Sequence, residues 1–482
     1  MRPLRNHYVT TCLCLFNETL GAPQDCAHHN FTRSDGTRYL GGFIGLANRR
    51  AEWLRPQIEE WAEGVRRLAR VARRFPQTAF AGLSKSLQAE WQYALRVLPE
   101  VQRAFGPVED ALANDFLPAL FDVDPAEIRE RRDLLALPVK AGGIGVPDPT
   151  STGTLSHATS LAVTDHLTDA LMPDGPDFDL EAYIAEGNAA RKHFRNMRVA
   201  DADADIDARI AKAPKLVARR LGRSKDCGGW LSLLPRSLHG TALDPDSLRD
   251  SIRIRYGIKP SDLPAKCDGC GAKYDVAHAL SCKKGGQVLA RHDDLKHEWR
   301  TLCTQAVGKS NVFDEPSLKT SQDVRDAGAK QHAEPDEELR GDIAVHGFWK
   351  SGNCGIFDVR VTDTDAPYQL DVPPEDCLAR HEKEKKKRYL RHCLDRKRSF
   401  TPLVFSVDGL LSRECTAAMR RLATLLAAKW SSPYSQVCGF VRARLVLALI
   451  RANSRCLRAE RNPIWRAQRP AWEAGDGLCL VT

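Results

Sequence analysis

Apolar residues recur at three- and four-residue intervals through residues 51–75 (Trp53, Ile58, Trp61, Val65, Leu68) and 77–105 (Leu83, Leu87, Trp91, Leu95, Leu98), with Pro76 between. That spacing lines one face of a 3.6-residue helix and predicts two amphipathic helices. Pro107, Pro118, Pro125 and Pro138 then cut the chain into short helical pieces, and Gly142, Gly143, Gly145, Pro147 and Pro149 mark a loop. Two further helices are expected over residues 155–171 and 177–198. Asp201, Asp203, Asp205 and Asp207 follow, but Ile206 and Lys212 stand where a calcium loop needs glycine and a bidentate glutamate. The stretch reads instead as a solvated linker or helix start, with a domain boundary near it.

Past residue 290 the period changes. A helix over residues 291–307 precedes strands over 311–318, 342–347 and 355–362, a basic helix over 381–398, and an apolar strand over 401–407, giving the order α-β-β-β-α-β. Strand alternation puts Ile356, Asp358 and Arg360 on one face and Phe357, Val359 and Val361 on the other. By the same rule Asp342 shares a face with His346, opposite Ile343 and Val345. Two carboxylates on neighbouring strands, one followed two residues later by a cation, can hold Mg²⁺ beside a group that steadies charge on a phosphate.

The 482 residues suggest two to four domains, and 43% hydrophobic with 28% charged residues excludes wholesale disorder. No apolar run approaches the roughly 20 residues that cross a bilayer, so no membrane partner is expected. The N-terminus lacks an apolar segment of signal-peptide length, which predicts an intracellular protein. The 15 cysteines are expected as buried hydrophobes or metal ligands rather than disulfides. Charge is uneven. Residues 380–482 hold 22 basic against 8 acidic side chains, whereas the remainder holds 49 against 54. A basic end of this kind is a footprint for nucleic acid. Within it, residues 380–398 carry ten basic and three acidic side chains, with Lys383, Lys386, Lys387, Arg388 and Arg391 expected to face a phosphate backbone.

The sharpest local signal is Cys267, Cys270, His278 and Cys282, spaced C-x2-C-x7-H-x3-C. Three thiolates and an imidazole close a tetrahedral zinc shell, and Gly269 and Gly271 permit the tight turn between the first two sulfurs. With four protein ligands the zinc is structural, holding a knuckle that can touch nucleic acid.

Taken in order, these elements resemble the C-terminal part of the polyprotein of a non-LTR retrotransposon, in which a reverse transcriptase is followed by a CCHC zinc knuckle and a PD-(D/E)XK restriction-like endonuclease domain. RYLGGFIG (residues 38–45) resembles the primer-grip turn closing the reverse-transcriptase palm, and the helices after it resemble the thumb. LQAEWQYALRVLP (87–99), LPALF (117–121) and LLALPVKAGGIGVPDP (134–149) resemble the connecting region, and WLSLLP (230–235) and LRDSIRIRYG (248–257) the segment before the knuckle. RHDDL (291–295), RGDI with FDVRV, and HEKEKKKRY (381–389) follow in nuclease order.

The resemblance implies a palm remnant over residues 1–50, a helical thumb and connection over 51–200, and a linker and helical segment over 201–261. It implies the knuckle over 262–290, the α/β nuclease core over 291–410 and a basic helical extension over 411–482. It makes Asp342 and Asp358 the Mg²⁺ or Mn²⁺ ligands, with Glu298 and Glu315 as possible additions. Arg360 stands where the pattern has lysine. Arginine can steady a phosphate but take no proton, so Lys383 or Lys385 on the helix is expected to serve instead. No F/Y-x-D-D box occurs in the chain, so polymerase chemistry is not expected of this truncated form. The implied function is nicking of a DNA target site, with element RNA a further partner. The nucleus is the implied compartment, KEKKKR (383–388) also reading as an import signal. The rival expectation is a nucleic-acid-binding remnant that has lost its chemistry.

Overall fold

The computed structural model describes residues 35–172, 175–318 and 339–462. Residues 1–34 of the expected palm remnant and 463–482 of the C-terminal extension lie outside them. The described chain is mostly helical with small sheets, and none of its helices is long and apolar enough to cross a membrane. It divides into two compact units. One comprises residues up to 138 with 143–209, and the other residues 139–142 with those from 210 onward.

The first unit opens with a hairpin, β1 (Gly36–Tyr39) antiparallel to β2 (Gly42–Gly45), turning at Leu40 and Gly41, both of positive φ. Helices α1 (Ala47–Ala72), α2 (Pro76–Gly82), α3 (Gln88–Val97), α4 (Gly106–Ala111), α5 (Leu117–Phe121), α6 (Pro125–Ala136), α7 (Pro149–Ala170) and α8 (Leu180–Lys212) follow. The buried stripe of α1 is Leu54, Ile58, Ala62, Val65, Ala69 and Ala72. The expected Trp53, Trp61 and Leu68 flank it half-buried, since large rings reach the interface from the sides while alanines let the helix approach. The helix expected over 77–105 is broken by a π-helical turn at Leu83–Leu87. That turn absorbs one extra residue, so Leu83 and Trp91, eight positions apart, still share the buried side. The aspartate-rich stretch is no linker: it lies inside the 33-residue α8.

In the second unit come α9 (Lys215–Gly222), α10 (Ser224–Cys227), α11 (Pro245–Arg255) and α12 (Val276–Ser281), then α13 (Gln287–Val307). Strands β3 (Val312–Asp314), β4 (Ile343–His346) and β5 (Cys354–Thr362), helix α14 (Pro374–Asp395) and strand β6 (Ser399–Ser406) follow, and α15 (Arg413–Trp430) and α16 (Tyr434–Arg458) close the chain. The sheet runs β3-β4-β5-β6, antiparallel except for β5 and β6, which are parallel and joined by α14. Pro402 sits in β6, an edge strand, where a missing N–H costs no inner ladder bond. Alternation sorts the faces as the pattern predicts. Ile343, Val345, Phe357 and Val359 join Trp299 of α13 and Met419 and Leu422 of α15 in the main core. Ala344 and Ile356 face Tyr389 and Cys393 of α14. Each fully buried Leu, Phe or Val here contributes about 1.5–3 kcal/mol.

Candidate metal centre and active site

The sulfurs of Cys267, Cys270 and Cys282 and a ring nitrogen of His278 lie within 4.8 Å of one another. Cys267 and Cys282 sulfurs are 4.0 Å apart, Cys270 and Cys282 sulfurs 3.9 Å, and Cys270 Sγ is 3.4 Å from His278 Nε2. Zinc bonds of about 2.3 Å to sulfur make tetrahedral edges of roughly 3.8 Å, so the four donors could bind a zinc ion without rearrangement. Local chemistry builds this geometry. Gly271, at φ +74°, closes the turn in which its N–H reaches the Cys267 carbonyl, and the Asp275 carboxylate caps α12 by accepting the His278 N–H at 2.8 Å.

The knuckle is stitched to the end of α16. Tyr274 donates its hydroxyl to the Leu457 carbonyl at 2.8 Å, and Asp268 Oδ2 accepts the Asn462 N–H at 2.9 Å. The buried Arg461 guanidinium lies over the Tyr274 ring and donates to the Ala279 carbonyl at 3.1 Å. On its other side Arg291 of α13 donates to Leu280 O at 2.9 Å and to Asn453 Oδ1 at 3.2 Å.

The carboxylate pair follows from strand register. The β4–β5 ladder ends where Ile343 pairs with Phe357; just before it the Asp342 N–H donates to the Phe357 carbonyl at 3.0 Å, which leaves Asp342 close enough for its charge to act on Asp358. Asp342 Oδ2 accepts the Val359 N–H at 2.6 Å and stands 3.0 Å from His292 Nε2. Burial would raise the Asp342 carboxyl, but His292, the Val359 N–H and Lys385 outweigh it and hold the group below its ordinary range. Asp358 is only 3% exposed. Burial, aided by the neighbouring Asp342 charge, pushes its carboxyl up against the pull of Lys385, whose Nζ lies 2.5 Å from Oδ2. His292 is also shifted up: burial opposes its charge, but Asp342 and Asp293 prevail.

The remaining expected residues are placed differently. Arg360 pairs with Glu384 at 2.8 Å. Glu384 is also 3.0 Å from His381 Nδ1, while His381 Nε2 meets Thr362 Oγ1 at 3.2 Å. Lys383 is exposed and outside the site, so of the two helix lysines only Lys385 reaches it. Glu298 is taken by Arg444 at 2.8 Å on the side of α13 that packs on α16. Glu315 adjoins Asp342 through its backbone, but its carboxylate pairs with Lys296 at 3.2 Å. Lys387 and Arg391 are exposed on α14, Arg388 lies over the Tyr389 ring, and Lys386 is neutralised by Glu414. Leu394, near the end of the same helix, is exposed as well.

His292 and Glu384 carried no signal of their own. RHDDL marks His292 only as part of a phrase, and nothing in spacing links it to Asp342 fifty residues on. An open cleft of about 470 Å³ runs from Lys283 and Gly286, just after Cys282, past His292 to Arg360 and Lys385. No protein-family profile matches the chain, and no curated protein matches it in sequence.

Proposed function

We propose that this chain is the C-terminal part of a non-LTR retrotransposon polyprotein whose second unit carries a restriction-like endonuclease that nicks one DNA strand using Mg²⁺ or Mn²⁺. The observation that carries the reading is the buried Asp358 with Asp342 near it at the end of the β4–β5 ladder and Lys385 beside the Asp358 carboxylate. Two hard carboxylates held by His292 and Lys385, which line the open cleft, suit a divalent cation bound by oxygen. Bound there, such an ion supplies Lewis acidity toward a phosphoryl oxygen and an acidified water.

The chain's own residues do the rest. Asp342, kept ionised by His292 and the Val359 N–H, offers a fixed anionic oxygen. Lys385 stands where the patterned lysine of β5 is missing, reaching the same carboxylate from α14, and its ammonium can pass from Asp358 to the scissile phosphate. Arg360, held by Glu384 at the cleft wall, steadies a phosphate but moves no proton. The knuckle and the exposed lysines of α14 hold DNA or element RNA, and action on chromosomal DNA places the protein in the nucleus. The missing F/Y-x-D-D box argues against DNA synthesis by this chain.

A second reading, a binding remnant without chemistry, is favoured by one fact. Among the described residues only the Cys3His group brings three or more donor side chains together. Nicking of supercoiled plasmid by the full chain separates the two. Metal-dependent cleavage lost in Asp358→Ala establishes the nuclease, and salt-sensitive binding without cleavage establishes the remnant.

A further inference from the structure

The cleft beside the carboxylate pair is more apolar than a phosphate groove requires. Cations Lys283, Arg360 and Lys385 line it, but so do Leu289, Val359 and Val361. Phosphates are held by cations and N–H groups, whereas aliphatic walls suit the faces of bases and sugars. Leu289 stands out among them, at 65% exposed. It lies on the first turn of α13, three residues before His292, which contacts Asp342.

Its mount is stiff. Two residues on, the Arg291 guanidinium is 2% exposed and donates to Leu280 O and Asn453 Oδ1, tying the start of α13 to the knuckle and to α16. A large aliphatic side chain that water would disfavour is thus held rigidly at the mouth of a cationic cleft, one helical turn from the reacting groups. Proteins that kink DNA insert Leu, Ile, Met or Phe between base steps in this manner. We propose that Leu289 is a wedge that enters the base stack beside the scissile phosphate, so that the site acts on a step it has unstacked. The proposal rests on the nuclease reading and makes ease of unstacking a determinant of where the enzyme cuts.

The experiment uses the full chain in Ca²⁺ buffer, which permits binding without cleavage, and two duplexes identical except for one central mismatch. A mismatch lowers the unstacking cost, so the wild-type protein is expected to bind the mismatched duplex roughly tenfold more tightly. Leu289→Ala is expected to bind both alike, and Leu289→Met to keep the preference. Because Leu289 is exposed, both variants should retain the zinc content and melting temperature of the parent. In Mg²⁺, Leu289→Ala should nick paired DNA roughly tenfold more slowly and mismatched DNA nearly as fast as wild type. Equal wild-type affinity for the two duplexes, or a preference that survives in Leu289→Ala, overturns the wedge. If paired and mismatched DNA are then still cleaved, the nuclease reading stands without it. Failure to bind either duplex overturns both.

Discussion

Lys385 and Asp358 form the most consequential pair of side chains in the second unit. The lysine comes from α14 and the aspartate from β5, and the carboxylate is buried next to a second one. Removing the ammonium removes the cation paired directly with this carboxylate, so Lys385→Ala should lower plasmid nicking about 100-fold or more. Arg360→Ala, whose side chain is engaged with Glu384, should cost less than about tenfold. The same burial has a stability signature. A carboxyl whose folded pKa lies above its unfolded value stabilises the fold while protonated, and that contribution is lost as pH rises through the folded value. Asp358→Asn should therefore raise resistance to urea at neutral pH, with the gain shrinking in acid. Asp342 has the opposite sign: its contribution is present above the ordinary carboxylate range and disappears as pH falls through its lowered value.

Between elements, buried charge does much of the joining. Asp365, on the segment after β5, meets Arg223 at 2.6 Å, Arg220 at 2.9 Å and Arg219 at 3.2 Å, all from the α9 region. Burial opposes the Asp365 charge, but the guanidinium groups overcome it and hold the carboxyl low. Asp365→Asn removes the one carboxylate that three buried or half-buried guanidinium groups share and should destabilise the second unit by about 3–5 kcal/mol in chemical unfolding. The knuckle works likewise through Tyr274, Asp268 and Arg461. Stripping zinc should release residues 267–282 and the end of α16 to rapid amide exchange while β5 stays protected. Equal loosening of β5 would show that the sheet, too, depends on the metal.

Across the molecule, the basic C-terminal region divides into two populations. Arg444, Arg451, Arg455 and Arg458 are internal connectors, bonded to Glu298, to the carbonyls of Gly240 and Ala242, to Asp294 and to Asp250. Lys383, Lys387 and Arg391 remain exposed on α14. Only the second population should release counterions. Lys387→Ala and Arg391→Ala should each reduce the slope of log affinity against log salt by roughly 0.9 in fluorescence anisotropy with duplex DNA. Arg455→Ala should leave that slope unchanged.

Much of this was written locally. Strand alternation in residues 355–362 sorted Phe357 and Val359 to the core and Asp358 to the other face, because successive side chains of any strand oppose. The spacing of Cys267, Cys270, His278 and Cys282 defined the metal shell, because a tight turn and one helical turn suffice to gather the donors. Local rules also located the helices of the first unit, but not its π-helical turns, the end of α3 at Val97, the start of α7 at Pro149 or the course of α8. What tertiary structure alone decided was partnership. The close of the β4–β5 ladder brought Asp342 near Asp358. The docking of α14 chose Lys385 over Lys383 and drew Arg360 to Glu384. The packing of α13 brought His292 to Asp342 and left Leu289 at the mouth of the cleft. These contacts join residues up to fifty apart in sequence, and their energies depend on which charges burial leaves without water, which no local pattern records.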